Sequence, residues 1–310
     1  AGGANENMCA ESWHSTITLS QNITVPNGTY KLTGQAFYRQ DGSDDDNLPY
    51  FYANDAKQTF PLKTGSENSM SDASASFSAG KYVIDPIWVY VDNGSLTVGV
   101  KLETNTSLWC IWDNFVMTYY GDVSIVEAQN AALVKSYKEA LAEAQSYQEI
   151  GMFESELEAF NTIVTNNTLD LSSATAEELT TATANLVAAN VTASKNCAIY
   201  TTYTNIATAI EGKTNVDVTS YIANLGFETG TLEGWTSVDG GSQANNKNFS
   251  KMSGEHFVER WKNNAALGNG SLTHDVVCLP KGIYTITAEA QNIEQYNNNA
   301  AGMGYFLCAN

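Results

Sequence analysis

The sequence predicts a mainly β fold with an α insert: two antiparallel β-sandwiches, each of them partial, flanking a small three-helix bundle. Three observations carry this. A turn-and-strand block occurs twice, Pro26-Asn-Gly-Thr-Tyr-Lys-Leu-Thr-Gly-Gln-Ala36 returning as Pro280-Lys-Gly-Ile-Tyr-Thr-Ile-Thr-Ala-Glu-Ala290. The hydrophobic period changes from two to 3.6 at Gly121 and the β style resumes near Val216. Outside those limits short alternating runs follow one another with turn residues between them and no helix, the pattern of an antiparallel sandwich. The expected domains are therefore residues 1–121, 122–215 and 216–310.

The duplication extends beyond one block. Ala10-Glu-Ser-Trp13 matches Val258-Glu-Arg-Trp261, and Tyr50-Phe-Tyr-Ala-Asn54 matches Tyr305-Phe-Leu-Cys-Ala-Asn310, in the same order along the chain. In the repeated block Tyr30/Tyr284, Leu32/Ile286, Gly34/Ala288 and Ala36/Ala290 share one strand face. The second copy opens with Tyr221-Ile-Ala-Asn-Leu-Gly-Phe-Glu-Thr-Gly-Thr-Leu-Glu-Gly-Trp235, which has no counterpart in the first. The first copy continues past Asn54, where the second stops, so the chain reads as a piece of something larger.

Taken in order, Ser15–Val25 alternates as a strand, Pro26-Asn-Gly28 turns it, and the repeated strand runs to Arg39. Gln40–Asn47 is acidic but lacks the glycine and terminal glutamate of an EF-hand, so it reads as a solvated turn. Tyr50–Ala53 and Tyr82–Val91 read as strands, with a Ser/Asp/Ala-rich surface loop between them. Asn93-Gly94 makes a hairpin into Ser95–Glu103, and Ser107–Tyr119 is the closing strand. Beyond Gly121, Val126, Asn130, Leu133, Tyr137, Leu141 and Ala144 form one helical stripe; Phe153, Leu157, Phe160 and Val164 form a second. Thr175-Ala-Glu-Glu178 is a capping box that opens a third helix carrying Leu179, Ala182, Leu186 and Ala189. The core expected from these phases includes Leu32, Phe115, Ile286 and Phe306 in the sandwiches, and Leu133, Leu157 and Leu186 in the bundle.

Composition narrows the function. Fifteen basic residues against 34 acidic ones give a net charge of −19, which repels phosphate backbones and argues against nucleic acid and anionic membrane surfaces. No run reaches the roughly 18 apolar residues of a membrane helix, so no membrane insertion is expected. Cys9, Cys110, Cys197, Cys278 and Cys308 are odd in number and lack paired spacing, so they read as buried apolar side chains rather than a disulfide or zinc framework. His14, His256 and His274 show no metal-ligand spacing, and no nucleophile elbow, phosphate-cradling loop or His-Glu-x-x-His occurs. A catalytic role is not expected. Few charges with plentiful Asn, Ser, Thr, Gly and Tyr suit an extracellular β-protein.

Asn224-Leu-Gly-Phe-Glu-Thr-Gly with Gly-Trp235 resembles the opening of galactose-binding-like jelly rolls, and Trp112-Asp-Asn-Phe-Val-Met-Thr-Tyr119 resembles their closing strand. The block from Pro26 to Arg39 is similar to modules of large secreted or surface proteins from glycan-degrading gut bacteria. The resemblance implies carbohydrate-binding modules, partial jelly rolls here, in an extracellular or bacterial cell-surface protein. It also implies a structural Ca²⁺ site between a glutamate of the opening motif and an aspartate of the closing strand; Glu228 and Asp113 match, as half-sites in different copies.

Sugar rings stack their C–H faces on aromatic rings while amides, carboxylates and arginine take the hydroxyls. Candidate glycan-binding residues are thus Trp13, Tyr38, Arg39, Trp109, Trp112 and Trp261, and the partner expected is a neutral oligo- or polysaccharide. On the closing strand Ile111, Asp113, Phe115 and Met117 share one phase and Trp112, Asn114 and Val116 the other; taking Phe115 and Met117 as core puts Trp112 outward. The rival reading is a structural or adhesive spacer, and a third is an accessory region of a glycoside hydrolase.

Overall fold

The computed structural model describes residues 9–42, 45–238, 242–246, 253–260, 268–277 and 279–290. The chain is a mixed α/β protein whose strands form antiparallel sheets. It divides into two compact units, residues 1–137 with 171–179 and residues 138–170 with 180–310.

The first unit holds eight described strands: β1 (Ala10–Trp13), β2 (Ile17–Thr24), β3 (Gly28–Gln40), β4 (Tyr50–Ala53), β5 (Ala56–Thr59), β6 (Ile87–Val91), β7 (Ser95–Leu102) and β8 (Leu108–Tyr119). They form two four-stranded sheets, ordered β1-β8-β3-β6 and β2-β7-β4-β5. Alternate residues of both sheets meet in one core: Tyr30, Leu32 and Ala36 of β3, Cys110 and Trp112 of β8, Phe51 of β4, and Val100 and Leu102 of β7. Leu32 is buried as its phase predicts.

The other face of the first sheet is covered as well, which the sequence reading missed. The segment taken as a surface loop contains β5 and a helix, α1 (Met70–Ser78). Ser69 caps that helix by accepting from the Asp72 N–H, and Ala73 and Phe77, one turn apart, pack on Cys9, Phe37, Trp109 and Ile111. Gln35, buried opposite Asp113, locks the arrangement: its Nε2 donates to the carbonyls of Phe77 (2.9 Å) and Lys81 (2.6 Å), while its Oε1 accepts from Asn114 Nδ2 at 2.6 Å.

The closing strand departs from simple alternation. β3 and β8 pair Gln35 with Asp113 but Thr33 with Val116, so β8 carries one extra residue, and Asn114 sits in the left-handed region at φ 55°. This bulge resets the side-chain phase. Trp112 therefore points into the core with Cys110, and so do Phe115, Met117 and Tyr119 beyond the bulge, opposite or against Phe51, Leu32 and Tyr30. The expectation that Trp112 points outward is corrected, as is the burial of Phe115, which is 42% exposed.

Helices α2 (Ile125–Ile150), α3 (Glu154–Asn166) and α4 (Ala176–Ile210) follow. The Thr175–Glu178 box forms reciprocally: the Thr175 N–H donates to Glu178 Oε2 (2.8 Å), and the Glu178 N–H donates to Thr175 Oγ1 (3.2 Å). A second box at Ser124 and Glu127 opens α2. In the second unit the buried Asn190 donates to the Ala140 carbonyl at 3.0 Å, and Phe153 packs edge-on against Tyr200 and Tyr203. Leu186 is fully buried, whereas Leu133 and Leu157 are only half-buried and Val126 is exposed. No helix among the described residues is long and apolar enough to cross a membrane.

The remaining strands are β9 (Trp235–Val238), β10 (Ser242–Asn246), β11 (Phe257–Arg260) and β12 (Ser271–His274), paired β9 with β12 and β10 with β11. The opening motif before β9 is tied by Asn224, which donates to the carbonyls of Thr231 and Glu233 and accepts from Thr229, while Trp235 Nε1 donates to the Asn224 carbonyl at 2.9 Å. The duplicated turn makes the same contact twice: Tyr30 donates to the Pro26 carbonyl at 2.8 Å, and Tyr284 to the Pro280 carbonyl at 2.7 Å. The strand after it is not duplicated. Residues 283–290 form no strand, and Ile286, expected in a core, is 58% exposed. A strand exists through its neighbours, and β3 draws its neighbours β6 and β8 from sequence far downstream. Phe306 lies outside the described residues.

Candidate glycan-binding surface

Three of the aromatic and cationic candidates form one row across the outer face of the first sheet. Trp13 of β1 pairs with Trp109 of β8, and Trp109 pairs with Arg39 of β3, so the three side chains project from the same face. Trp13 stands at the edge, 64% exposed, with the His14 ring 4.9 Å from its own. Trp109 is buried behind it, edge-on to Phe37 and covered by the Arg39 guanidinium 4.8 Å from the ring centre; its Nε1 donates to Glu11 Oε2 at 2.8 Å.

Arg39 is held from three sides. Nε and Nη2 donate to the two oxygens of Asp41 at 2.7 and 2.8 Å, and Nη1 reaches Asn68 Oδ1 at 3.3 Å. Asp41 also contacts His14 Nε2 at 3.0 Å. The hydrogen bonds from Arg39 hold the Asp41 carboxyl below its ordinary range and raise the guanidinium in turn. Asn68 is positioned by its neighbour Glu67, a buried carboxylate that accepts from Ser76 (2.6 Å) and Tyr82 (2.9 Å). Burial works to raise the Glu67 pKa, but hydrogen bonds from Ser76, its own backbone and Tyr82, with Lys81 near, bring it below the usual value. The row thus combines an exposed ring, a clamped planar cation and the Asp41 carboxylate already paired with it.

Other candidates fall elsewhere. Tyr38 alternates with Arg39 and points into the core, as does Trp112, so neither ring is offered to a ligand. Strand alternation itself puts Tyr38 and Arg39 on opposite faces of β3, so the two candidates do not act together. Trp261 lies outside the described residues. Asp113 precedes the bulge and therefore faces outward with Gln35 and Ile111, not coreward with Phe115; its Oδ2 is buried without a hydrogen-bond partner among the described residues. Glu228, in the other unit, is exposed and accepts from the Glu255 N–H at 2.8 Å. Among the described residues no group of three or more His, Cys, Asp or Glu could hold a metal.

Glu11, His14, Asp41 and Asn68 were not singled out for the site. Asp41 had a legible signal, standing two residues beyond Arg39 at the strand end; Asn68 had none, because the Glu67 anchor that holds its segment is a tertiary contact. The described end of the acidic loop is held in place: Asn47 Oδ1 accepts from the Glu103 and Thr104 N–H groups, and buried Asn105 donates to the Asp45 carbonyl at 2.7 Å. Cys9, Cys110 and Cys197 are free and buried; burial raises each thiol, that of Cys110 to about 12. No protein-family model, curated protein or solved structure matches this chain.

Proposed function

We propose that the chain belongs to a secreted or cell-surface protein and carries non-catalytic glycan-binding modules, two partial jelly-roll sandwiches joined by a three-helix spacer. The observation that carries the binding reading is the row Trp13–Trp109–Arg39, with its exposed outer ring and rigidly held guanidinium. Stacking on an exposed indole suits a neutral sugar ring, and Asn68, Asp41, His14 and Glu11 supply hydroxyl partners around it. Glu11 and Asp41, the carboxylates beside the row, are already engaged by Trp109 and Arg39, which supports binding over acid–base chemistry. Structural calcium belongs to the proposal at Asp113 alone, on the strength of its orphaned oxygen.

Calorimetry against a panel of neutral oligosaccharides tests the reading. At least one sugar is expected to bind, with the affinity lost in Trp13→Ala and melting unchanged. Absence of binding to every neutral sugar, or binding indifferent to Trp13→Ala, rejects it. The spacer reading has its own support in α4, whose 35 residues span about 52 Å at helical rise; it is the outcome favoured if no sugar binds.

A further inference from the structure

The two tryptophans of the row are joined by a chain of contacts that passes through one histidine. Trp13 is 64% exposed, and its ring contact is with His14, 4.9 Å away and tilted by 35°. His14 Nε2 lies 3.0 Å from Asp41 Oδ2, Asp41 takes the paired bonds of Arg39, and the Arg39 guanidinium covers the buried Trp109. The exposed ring is thereby tied to the fixed one through His14 and Asp41, which stand 27 positions apart in sequence.

The backbone makes this contact possible. Neighbouring side chains on a regular strand point to opposite faces. His14, directly after β1, takes φ 49° in the left-handed region, where histidine is enriched, and so meets the ring of Trp13 instead. The turn is fixed by the His14 N–H, which donates to the Leu108 carbonyl at 2.8 Å, and by Ser12 Oγ, which donates to the Ser15 carbonyl at 3.0 Å.

An imidazole holds a carboxylate with two strengths. A neutral ring donates only from the nitrogen that carries its proton, so one of its two tautomers offers Asp41 no donor. The imidazolium always donates from Nε2, through a charge-assisted bond about twice as strong as a neutral one, and its charge attracts the indole beside it. Imidazoles change between these states in the range of about pH 5 to 8. Asp41 is held below its ordinary range by the bonds from Arg39 and stays ionised throughout that interval. Among the described residues the charged groups around His14 are Asp41 and Arg39 at the end of β3 and Glu11 on β1, which Trp109 engages; Asp45, farther along the loop, accepts from Thr104 Oγ1 at 2.8 Å. Arg39 opposes a second cation, but Asp41 Oδ2 lies at hydrogen-bond distance from both.

We propose that His14 is the positioning residue of the Trp13 platform and that its protonation tightens the platform, so that a neutral sugar is held more firmly in acid than in alkali. The change in affinity rests on the glycan reading, whereas the hold on the Trp13 ring does not.

The full chain labelled with 5-fluorotryptophan tests both parts, the Trp13 fluorine signal being identified by its loss in Trp13→Phe. That line is expected to be broad at pH 5.5, as for a ring that tumbles with the protein, and narrower at pH 8. In His14→Asn, which suits the left-handed backbone but has no ring to stack or titrate, it is expected to be narrow at both. Calorimetry with galactose, glucose, mannose and N-acetylglucosamine oligosaccharides is expected to show binding about two- to fivefold tighter at pH 5.5 than at pH 8, the range of an exposed ion pair, and no such difference in His14→Asn. A Trp13 line that is the same at both pH values, or unaltered by His14→Asn, overturns the proposal. Equal affinity at both pH values also overturns it and leaves the glycan reading intact. Affinity that changes with pH over an unchanged line overturns the positioning role, since His14 then touches the sugar itself. If none of these sugars binds, the glycan reading falls, and the line alone decides whether His14 holds the ring.

Discussion

The bulge at Asn114 decides which residues of β8 beyond it face the core, and its energetics separate into two measurable parts. Asn114 holds φ 55°, and its Nδ2 is the partner of Gln35 Oε1. Asn114→Gly keeps the backbone easy and loses the hydrogen bond, leaving the buried Gln35 oxygen unsatisfied at a cost of about 1–3 kcal/mol. Asn114→Val loses the same bond and adds about 1–2 kcal/mol for a β-branched residue in the left-handed region. Urea unfolding followed by tryptophan fluorescence reads the difference directly. With a slope of about 2 kcal/mol per molar, the valine midpoint is expected about 0.5–1 M below the glycine midpoint. Equal midpoints would refute the argument that a left-handed residue sets the bulge, and a valine variant as stable as the parent would remove the role of the Gln35 contact too.

Other outcomes follow from single contacts. Arg39→Met removes the paired bonds to Asp41 and the cover over Trp109, and is expected to cost about 1–2 kcal/mol, discounted for partial exposure, with a shift in Trp109 emission. Because the Asp41 pKa is lowered in the folded state, its contribution is complete above about pH 4 and lost as pH falls through the lowered value; the parent should show this acid-side loss and Arg39→Met should not. Glu67→Gln is expected to destabilise the first unit at neutral pH by about 1–2 kcal/mol, a penalty that shrinks in acid as the parent's own carboxyl protonates; a pH-independent difference in denaturation midpoint contradicts this. Peptide mapping after iodoacetamide at pH 8 should find Cys9, Cys110 and Cys197 unmodified in the native chain and modified in urea.

Several elements were legible because their cause is local. The Thr175–Glu178 box and the Pro-x-Gly-x-Tyr turn rest on contacts within a few residues, and each stands where the sequence puts it. The hairpin expected at Asn93-Gly94 is corrected: the turn leads from β6, paired with β3, into β7 of the other sheet, paired with β2 and β4. α1 was legible in principle, since Ser69, Asp72, Ala73 and Phe77 carry a cap and a one-turn apolar pair. α4 runs unbroken from Ala176 to Ile210, far beyond the Leu179–Ala189 stripe that marks it in the sequence.

At the candidate site the sequence by itself determined the residue types: a tryptophan at the start of β1, an arginine at the end of β3, and tryptophans on the closing strand, in a chain whose charge disfavours anionic partners. Only the tertiary structure decided which of them meet. Trp13, Trp109 and Arg39 share a row because β1, β8 and β3 pair in that register, across some 70 to 100 positions of sequence. Trp112 and Tyr38 were lost to the core for reasons of phase, one inherited from alternation and one hidden by the extra residue at Asn114. Period-two reasoning carries a side chain's direction along a strand until a bulge resets it, and a bulge is fixed by the partner strand: Gly34 stands where an added Cβ would lie 3.2 Å from Phe51 and 3.3 Å from the Asp113 carbonyl. The direction of a strand residue is thus written locally, but where that direction reverses is written in the neighbour it pairs with.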